Sequence, residues 1–377
     1  MSEARIDRIA NENNTSGPVL SGITTFSGQN YFVPPRGTTA ERPSNCPMGS
    51  IRFNTDSAHL EYYDGLQWLE LEAFNVELGV NGALGNRGIV LGGGPPTNNI
   101  EYVTISTLGN GQDFGDLTES VDNRSSFSSS VRGVNGGGEI SPLLSNTIDY
   151  ITISSTGDAQ DFGDLSLARR AFASCSSSTR GLWSGGMTPT RLNLIEYVTI
   201  ASTGNAQDFG DLISGLQRDN TACSSSTRGI IWGGSVSSPG RTNHIDYVTI
   251  ASIGNSINFG DLTSANTGEI QSSLSNSTRG ILSGSYSGVN AICFITISSE
   301  GNAQDFGDMT VTRYSHSSTS SPTRGIFLGG NSTAGGPVIN NIDYISISVT
   351  GNAIDFGDLS LSRNSKEGCF SNGHGGL

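Results

Sequence analysis

One pattern recurs six times along this chain and limits the fold more than any other feature. In its cleanest copy, Ile195-Glu196-Tyr197-Val198-Thr199-Ile200 is followed, after Gly204-Asn205, by Gln207-Asp208-Phe209-Gly210-Asp211-Leu212. Similar runs start at Ile100, Ile148, Ile245, Ile292 and Ile342. The glycines after the recurring Phe stand at Gly115, Gly163, Gly210, Gly260, Gly307 and Gly357, so successive spacings are 48, 47, 50, 47 and 50 residues. A period of this length marks a solenoid, a propeller or an array, in which each unit buries its apolar surface only against its neighbours.

Each unit contains the same pieces. Arg-Gly opens an apolar run closed by a pair of small residues, as in Arg228-Gly229-Ile230-Ile231-Trp232-Gly233-Gly234. A loop of strand-joining length follows, then the Ile-acid-Tyr strand, the Asp-Phe-Gly-Asp strand and a Ser-rich strand such as Ala173 to Ser178. In the third piece, Ile195, Tyr197 and Thr199 fall on one side and Val198 and Ile200 on the other, which suits a sheet stacked between neighbours. Four strands in about 48 residues is the length of a propeller blade. The Gly-Gly pair before an aromatic-bearing strand resembles kelch blades, although the Tyr197-to-Phe209 interval is longer than the kelch spacing and Phe replaces Trp.

The expected fold is therefore all-β: a six-bladed kelch-like β-propeller over residues 81–377. The array begins at Arg87 without a preceding Ser-rich strand and ends in Ser365 to Ser371 without a following partner. The C-terminal strand is thus expected to complete the first blade and remove an open sheet edge.

Composition narrows the function. The chain has 377 residues, 51 of them Gly, with 14% charged residues and a formal charge of −14, which argues against binding a nucleic-acid backbone. No apolar run reaches the roughly 18 to 20 residues of a membrane span, and Met1 to Asp7 lacks a secretory core. Synthesis in a cytoplasm without membrane insertion is expected. Three of the five cysteines lie at a position that also accepts Phe127, Leu274 and Thr319, as packing residues do. Cys175 and Cys223 precede Arg180 and Arg228 by five residues, and Cys369 precedes His374 by five.

The N-terminal part differs from the repeats. Residues 1–31 are polar and read as an extended arm; residues 32–80 read as a β-hairpin module. There Ile51 and Phe53 form one strand, Asn54 to Ala58 the turn, and Leu60, Tyr62 and Trp68 the return. The words Gly37-Thr38-Thr39, Arg42-Pro43, Gly49 before Arg52-Phe53-Asn54-Thr55-Asp56, and Glu61-Tyr62-Tyr63-Asp64-Gly65 with Trp68 resemble a module of bacteriophage tail-fibre and other virion proteins. That resemblance implies attachment within a particle and oligomeric fibre assembly, with localisation in the virion.

Candidates for chemistry are few. Asp-Phe-Gly in six copies, without a phosphate loop or a His-Arg-Asp loop, is a core anchor rather than a kinase motif. The pairs Asp113/Asp116, Asp161/Asp164, Asp208/Asp211, Asp305/Asp308 and Asp355/Asp358 are expected to be structural, with Arg180 meeting Asp161 or Arg228 meeting Asp208. Calcium is the weaker alternative for these acids, since the spacing fits no established loop. The four histidines do not recur at ligand spacing, so no metal, cofactor or catalytic residue is assigned.

The expectation is a non-enzymatic tailed-phage virion protein, a tail fibre or appendage. Its arm would contact other virion proteins, and its loops a host-surface glycan or a neighbouring subunit, with homo-oligomers in the particle. Candidate contact residues lie on the most variable loops: Pro95, Thr97, Asn98, Thr188, Thr190, Arg191, Ser238, Arg241, Asn331 and Thr333. A glycan-active enzyme and a cellular kelch-like adaptor are the alternatives.

Overall fold

The computed structural model describes residues 34–57, 59–71, 87–92, 97–140, 142–215, 217–236, 240–262, 272–284, 289–332, 336–364 and 368–377. The expected N-terminal arm lies outside them. The chain divides into two compact units, Met1–Asn75 and Val76–Leu377. The protein is all-β, with seven four-stranded sheets among the described residues.

The first unit contains β1 (Arg36–Gly37), β2 (Ile51–Asn54), β3 (His59–Tyr63) and β4 (Trp68–Leu71) in that spatial order. The β1–β2 pair is parallel and the other pairs are antiparallel. Trp68 was expected on the return strand of the hairpin, but it opens a strand of its own. The carboxylate of Asp64 accepts from the backbone N–H groups of Leu66 and Gln67, both at 2.7 Å, and Gly65 takes φ 100°, so the chain reverses there. Arg52, Asn54 and Glu61 are buried on one face of this sheet. Residues of the β1–β2 connection cover that face: Arg42 pairs with Glu61, and Arg52 donates to the Thr38 carbonyl at 3.0 Å.

The second unit holds six sheets of one design. The third, for example, orders Ala173–Ser176, Arg180–Ser184, Leu194–Thr199 and Gln207–Asp211, all antiparallel. The middle strands carry consecutive apolar residues, such as Leu182-Trp183 and Ile230-Ile231-Trp232, and residues on both of their faces are buried. One core cluster forms at each sheet-to-sheet contact; Phe127, Val134, Phe162, Trp183 and Val198 meet in one of them. The C-terminal strand Cys369–Ser371 pairs with Arg87–Leu91 and supplies the missing strand of the first sheet, with Phe370 opposite Ile89 and Ser371 opposite Gly88. This register corrects the cysteine alignment. Phe370, not Cys369, occupies the place of Cys175, because His374 does not stand where the arginines do: Arg87 takes that place, and His374 Nε2 lies against the Ser128 carbonyl.

That place explains the glycine of Arg-Gly. Phe127 packs on Gly181 of the next sheet, Cys175 on Gly229, Cys223 on Gly280, Leu274 on Gly325, Thr319 on Gly88 and Phe370 on Gly133. A Cβ at Gly181 would lie 1.9 Å from the Phe127 ring, so the neighbour's side chain fills the space a methyl group would need.

Three sets of hydrogen bonds pass from sheet to sheet and return to their start. The hydroxyls of Ser176, Ser224, Ser275 and Ser320 donate to the carbonyls of Ser128, Ser176, Ser224 and Ser275 at 2.6 to 2.8 Å. Ser371 donates to the Ser320 carbonyl, and Ser128 donates to the Ser371 carbonyl at 2.7 Å. The arginine guanidinium groups form a second cycle, from Arg87 to the Ile153 carbonyl at 2.7 Å through to Arg324 and the Ile105 carbonyl at 2.8 Å. Backbone N–H groups form the third, from Gly157 to the Phe114 carbonyl at 2.8 Å through to Gly109 and the Phe356 carbonyl at 3.3 Å.

Candidate contact surface

The repeated arginines make structural contacts, but their partners differ from the expected ones. Arg180 does not meet Asp161, nor Arg228 Asp208. Each arginine lies over the aromatic ring of its own sheet, 4.5 Å from Tyr197 for Arg180 and 4.6 Å from Tyr247 for Arg228. Each also donates to an isoleucine carbonyl of the next sheet, at 2.9 Å and 3.2 Å respectively. The hairpin argument considered one unit alone, whereas the long side chain reaches the next.

The recurring aspartates point outward. Asp113 and Asp116 are both exposed, as are Asp161 and Asp164. The register shifts at Ile100/Glu101 and Ile148/Asp149, and Gly115 and Gly163 take φ 151° and 148°, so three-residue spacing no longer means opposite faces. Among the described residues, no group of three or more His, Cys, Asp or Glu could hold a metal ion.

In the second unit the Ile-acid-Tyr strands carry buried acids. Glu101 pairs with Arg363, Asp343 with Arg313 and Glu196 with Arg169, the last at 2.7 Å, and all six side chains are nearly inaccessible. Burial raises the pKa of Glu101, partly offset by Arg363, and burial lowers that of Arg363. In the fourth sheet Asp246 instead accepts from the hydroxyls of Ser214 and Ser256.

Two cavities lie among the Ser-rich strands, of about 60 and 30 Å³. The larger is lined by Ser176, Ser224, Ser275, Cys175, Cys223 and His374, among others. Its size admits a few waters. Burial pushes the Cys223 thiol up to about 12 and raises Cys175 and Cys369 as well, so these thiols stay protonated and unreactive. The C-terminal residues cross this region. His374 Nε2 lies 2.9 Å from the Ser128 carbonyl, and the N–H of Gly375 donates to the Ser275 carbonyl at 3.0 Å.

Strand order puts the loop between the second and third strands at the same end of a sheet as the linker from the preceding sheet. The two are tied by short antiparallel bridges, Arg170 with Met187, Arg218 with Ser235 and Tyr314 with Asn331. The residue after each bridge on the linker, Ala171, Asp219 or Ser315, takes a left-handed φ of 56°, 58° or 52°. The contact loops therefore stand on a braced base.

Of the candidate contact residues, Pro95, Ser238 and Thr333 lie outside the described residues. Asn98 and Thr190 are exposed, and Thr97, Thr188, Arg191 and Arg241 are half-buried. Asn331 is 8% exposed and paired with Tyr314, so it braces the loop instead of presenting a side chain. Arg191 donates to the carbonyl and hydroxyl of Ser235 in the next sheet, both at 3.1 Å. Sequence reasoning missed the apolar residues at this same end, Leu167, Ile213, Val311 and Leu361, which are 37 to 65% exposed. Their signal is position: each falls one or two residues beyond the Leu or Met that closes the Asp-Phe-Gly-Asp strand.

No protein-family model matches the chain, and no curated protein matches it.

Proposed function

We propose that the six sheets of the second unit are blades of one closed, kelch-like, six-bladed β-propeller. We propose further that the chain is a non-enzymatic structural protein of a tailed-phage particle, a tail fibre or tail-associated appendage. The observation that carries the propeller is the return of all three hydrogen-bond cycles through six sheets. An open row would leave its first and last members without these partners.

The virion reading rests on the residues of the N-terminal module and on what the rest of the chain invests in. Arg, Phe and Ser recur as building material in every blade, while the variable loops occupy one end. In this role the N-terminal part attaches to other virion proteins. Thr97, Asn98, Thr188, Thr190, Arg191 and Arg241, with the apolar linker residues beside them, face a host-surface glycan or a neighbouring subunit.

Peptide mass spectrometry of purified particles, with gold-labelled antibody imaging, tests the assignment. The chain is expected in the particle and at its tail. Its absence from particles that infect normally overturns the proposal.

A further inference from the structure

The end of the sheets that carries the variable loops is not uniform in charge. Among the described residues there, Arg124, Arg169, Arg313 and Arg363 are buried. Four others, Arg170, Arg191, Arg218 and Arg241, are part-exposed, and all belong to the third and fourth sheets or the linkers that enter them. In the first and sixth sheets the described residues of the corresponding loops, 92 with 97–98 and 329–332 with 336–340, carry no charge.

These four arginines gather at one spot. Met187 bridges to both Arg170 and Arg191, and Ser235 bridges to Arg218. Arg191 lies on Ser235, and Arg218 Nη1 is 3.8 Å from Met187 Sδ. The Ser235 hydroxyl donates to the carbonyl of Gly240, next to Arg241, at 3.1 Å. Two acids temper the charge: Glu139 pairs with Arg170, and the buried Asp219 is 3.5 Å from Arg218 Nε. Four guanidinium groups against two carboxylates leave the spot positive in a chain of formal charge −14. Arg218 is the least committed of the four. Among the described residues its guanidinium hydrogen-bonds to no oxygen, and its one acceptor is a thioether, a weak one.

We infer that this spot takes the anionic groups, carboxylate or phosphate, of an acidic polysaccharide. The inference rests on the reading of these loops as a host-surface contact and names the class of glycan. A guanidinium group matches either anion through two parallel hydrogen bonds. Each part-exposed pair is weak alone, so a polymer that meets several arginines together is held where a single anion is not. A neighbouring copy also offers exposed carboxylates. They repeat as the same Asp pair on sheet after sheet, however, and so select no single docking position.

Affinity electrophoresis of the full-length chain tests the inference, in native gels cast with polygalacturonate for the carboxylate, phosphorylated mannan for the phosphate, or neutral dextran. One or both acidic polymers are expected to retard the chain, dextran is not, and added salt should reduce the effect. The acidic polymer that retards more strongly identifies the group. Arg218→Glu is expected to raise the dissociation constant about ten-fold. Glu139→Gln, which releases Arg170, should strengthen binding, a gain that misfolding cannot produce. Retardation by dextran as strong as by the acidic polymers, none by either acidic polymer, or no change in both variants overturns the inference. So does self-association that depends on Arg218 without polysaccharide binding, which would make a neighbouring copy the partner. An acidic-polysaccharide binder absent from particles defeats only the virion assignment; a particle component that binds neither acidic polymer defeats only this inference.

Discussion

Ser128 and Ser371 stand 243 residues apart in the chain and are joined by a 2.7 Å hydrogen bond from the hydroxyl of the first to the carbonyl of the second. Ser371 in turn donates to the Ser320 carbonyl. The last strand therefore bonds on both sides, to the second sheet and to the sixth, while pairing edge-on with Arg87–Leu91. It also repairs a turn: the side-chain oxygen of Asn372 accepts from the backbone N–H of Arg87 at 3.2 Å, as Ser177 does for Arg180 within a continuous turn. A short segment at one terminus thus connects the two ends of the array.

Truncation before Cys369 is expected to destabilise the whole second unit rather than fray its end. Loss of the buried Phe370 side chain alone removes about 3 to 5 kcal/mol, and a sheet edge is left open. Ser371→Ala, which removes one hydrogen-bond donor, should cost only about 0.5 to 1.5 kcal/mol. Thermal melting compares the two. Equal, small shifts would show that the last strand is dispensable.

The contact of Phe127 with Gly181 gives a coupled pair. Gly181→Ala places a methyl group inside the ring's volume and should cost about 1 to 3 kcal/mol. Phe127→Ala leaves a cavity worth about 3 to 5 kcal/mol. Combined, they should be less destabilising than their sum by at least about 1 kcal/mol, because the new methyl group occupies vacated space. Denaturant unfolding of the three variants measures this, and strict additivity would contradict the packing described.

How far the sequence revealed this arrangement depends on whether a residue's partner lies inside its own unit. The strand pattern, the Phe anchors and the C-terminal strand were legible because periodicity and strand alternation are local. The partners of Arg180 and Arg228 were not, since the carbonyls they reach belong to the next unit, about 70 residues on. The pairing of Glu101, Glu196 and Asp343 with Arg363, Arg169 and Arg313 was not legible either, since each strand has a register shift at the acid and each arginine lies on the linker from the preceding sheet. The contact loops were legible as variable text, but the burial of Asn331 depends on its bridge to Tyr314.

The Arg363–Glu101 pair should be asymmetric to mutation. Both side chains are almost fully buried, so Arg363→Met leaves a buried carboxylate with no countercharge, only the Ser360 N–H and hydroxyl donating to it, and should cost about 3 to 5 kcal/mol. Replacing both residues with Met removes both charges and should recover much of that loss. The chain contains a neutral precedent: the position of Arg363 is held in the fourth sheet by Gln217, which is 2% exposed, while Asp246 relies on serine hydroxyls. Chemical denaturation of the single and double variants is decisive. A double variant no more stable than Arg363→Met would show that the charges, and not merely their balance, are required.

Acid should weaken the second unit through its buried imidazoles. His316 is fully buried with Nε2 2.9 Å from the Ser283 hydroxyl, and burial, reinforced by the nearby Arg313 guanidinium, holds its pKa well below the ordinary value. Burial also lowers His374, although its contact with the Ser128 carbonyl opposes the shift. Unfolded imidazoles take up protons below about pH 6.5 while the folded ones resist, so stability present above that pH declines as the pH falls toward the folded values. Each imidazole contributes a slope of about 1.4 kcal/mol per pH unit in that window. Burial raises the pKa values of Glu101, Asp122 and Asp149, and these groups act oppositely, favouring the folded state as they protonate in the carboxylate range. Melting curves between pH 7.5 and 5.5 should therefore show a falling midpoint in the wild type and a shallower fall in His316→Asn, whatever that variant's absolute stability. Identical slopes in the two proteins would mean that His316 is not the group resisting protonation.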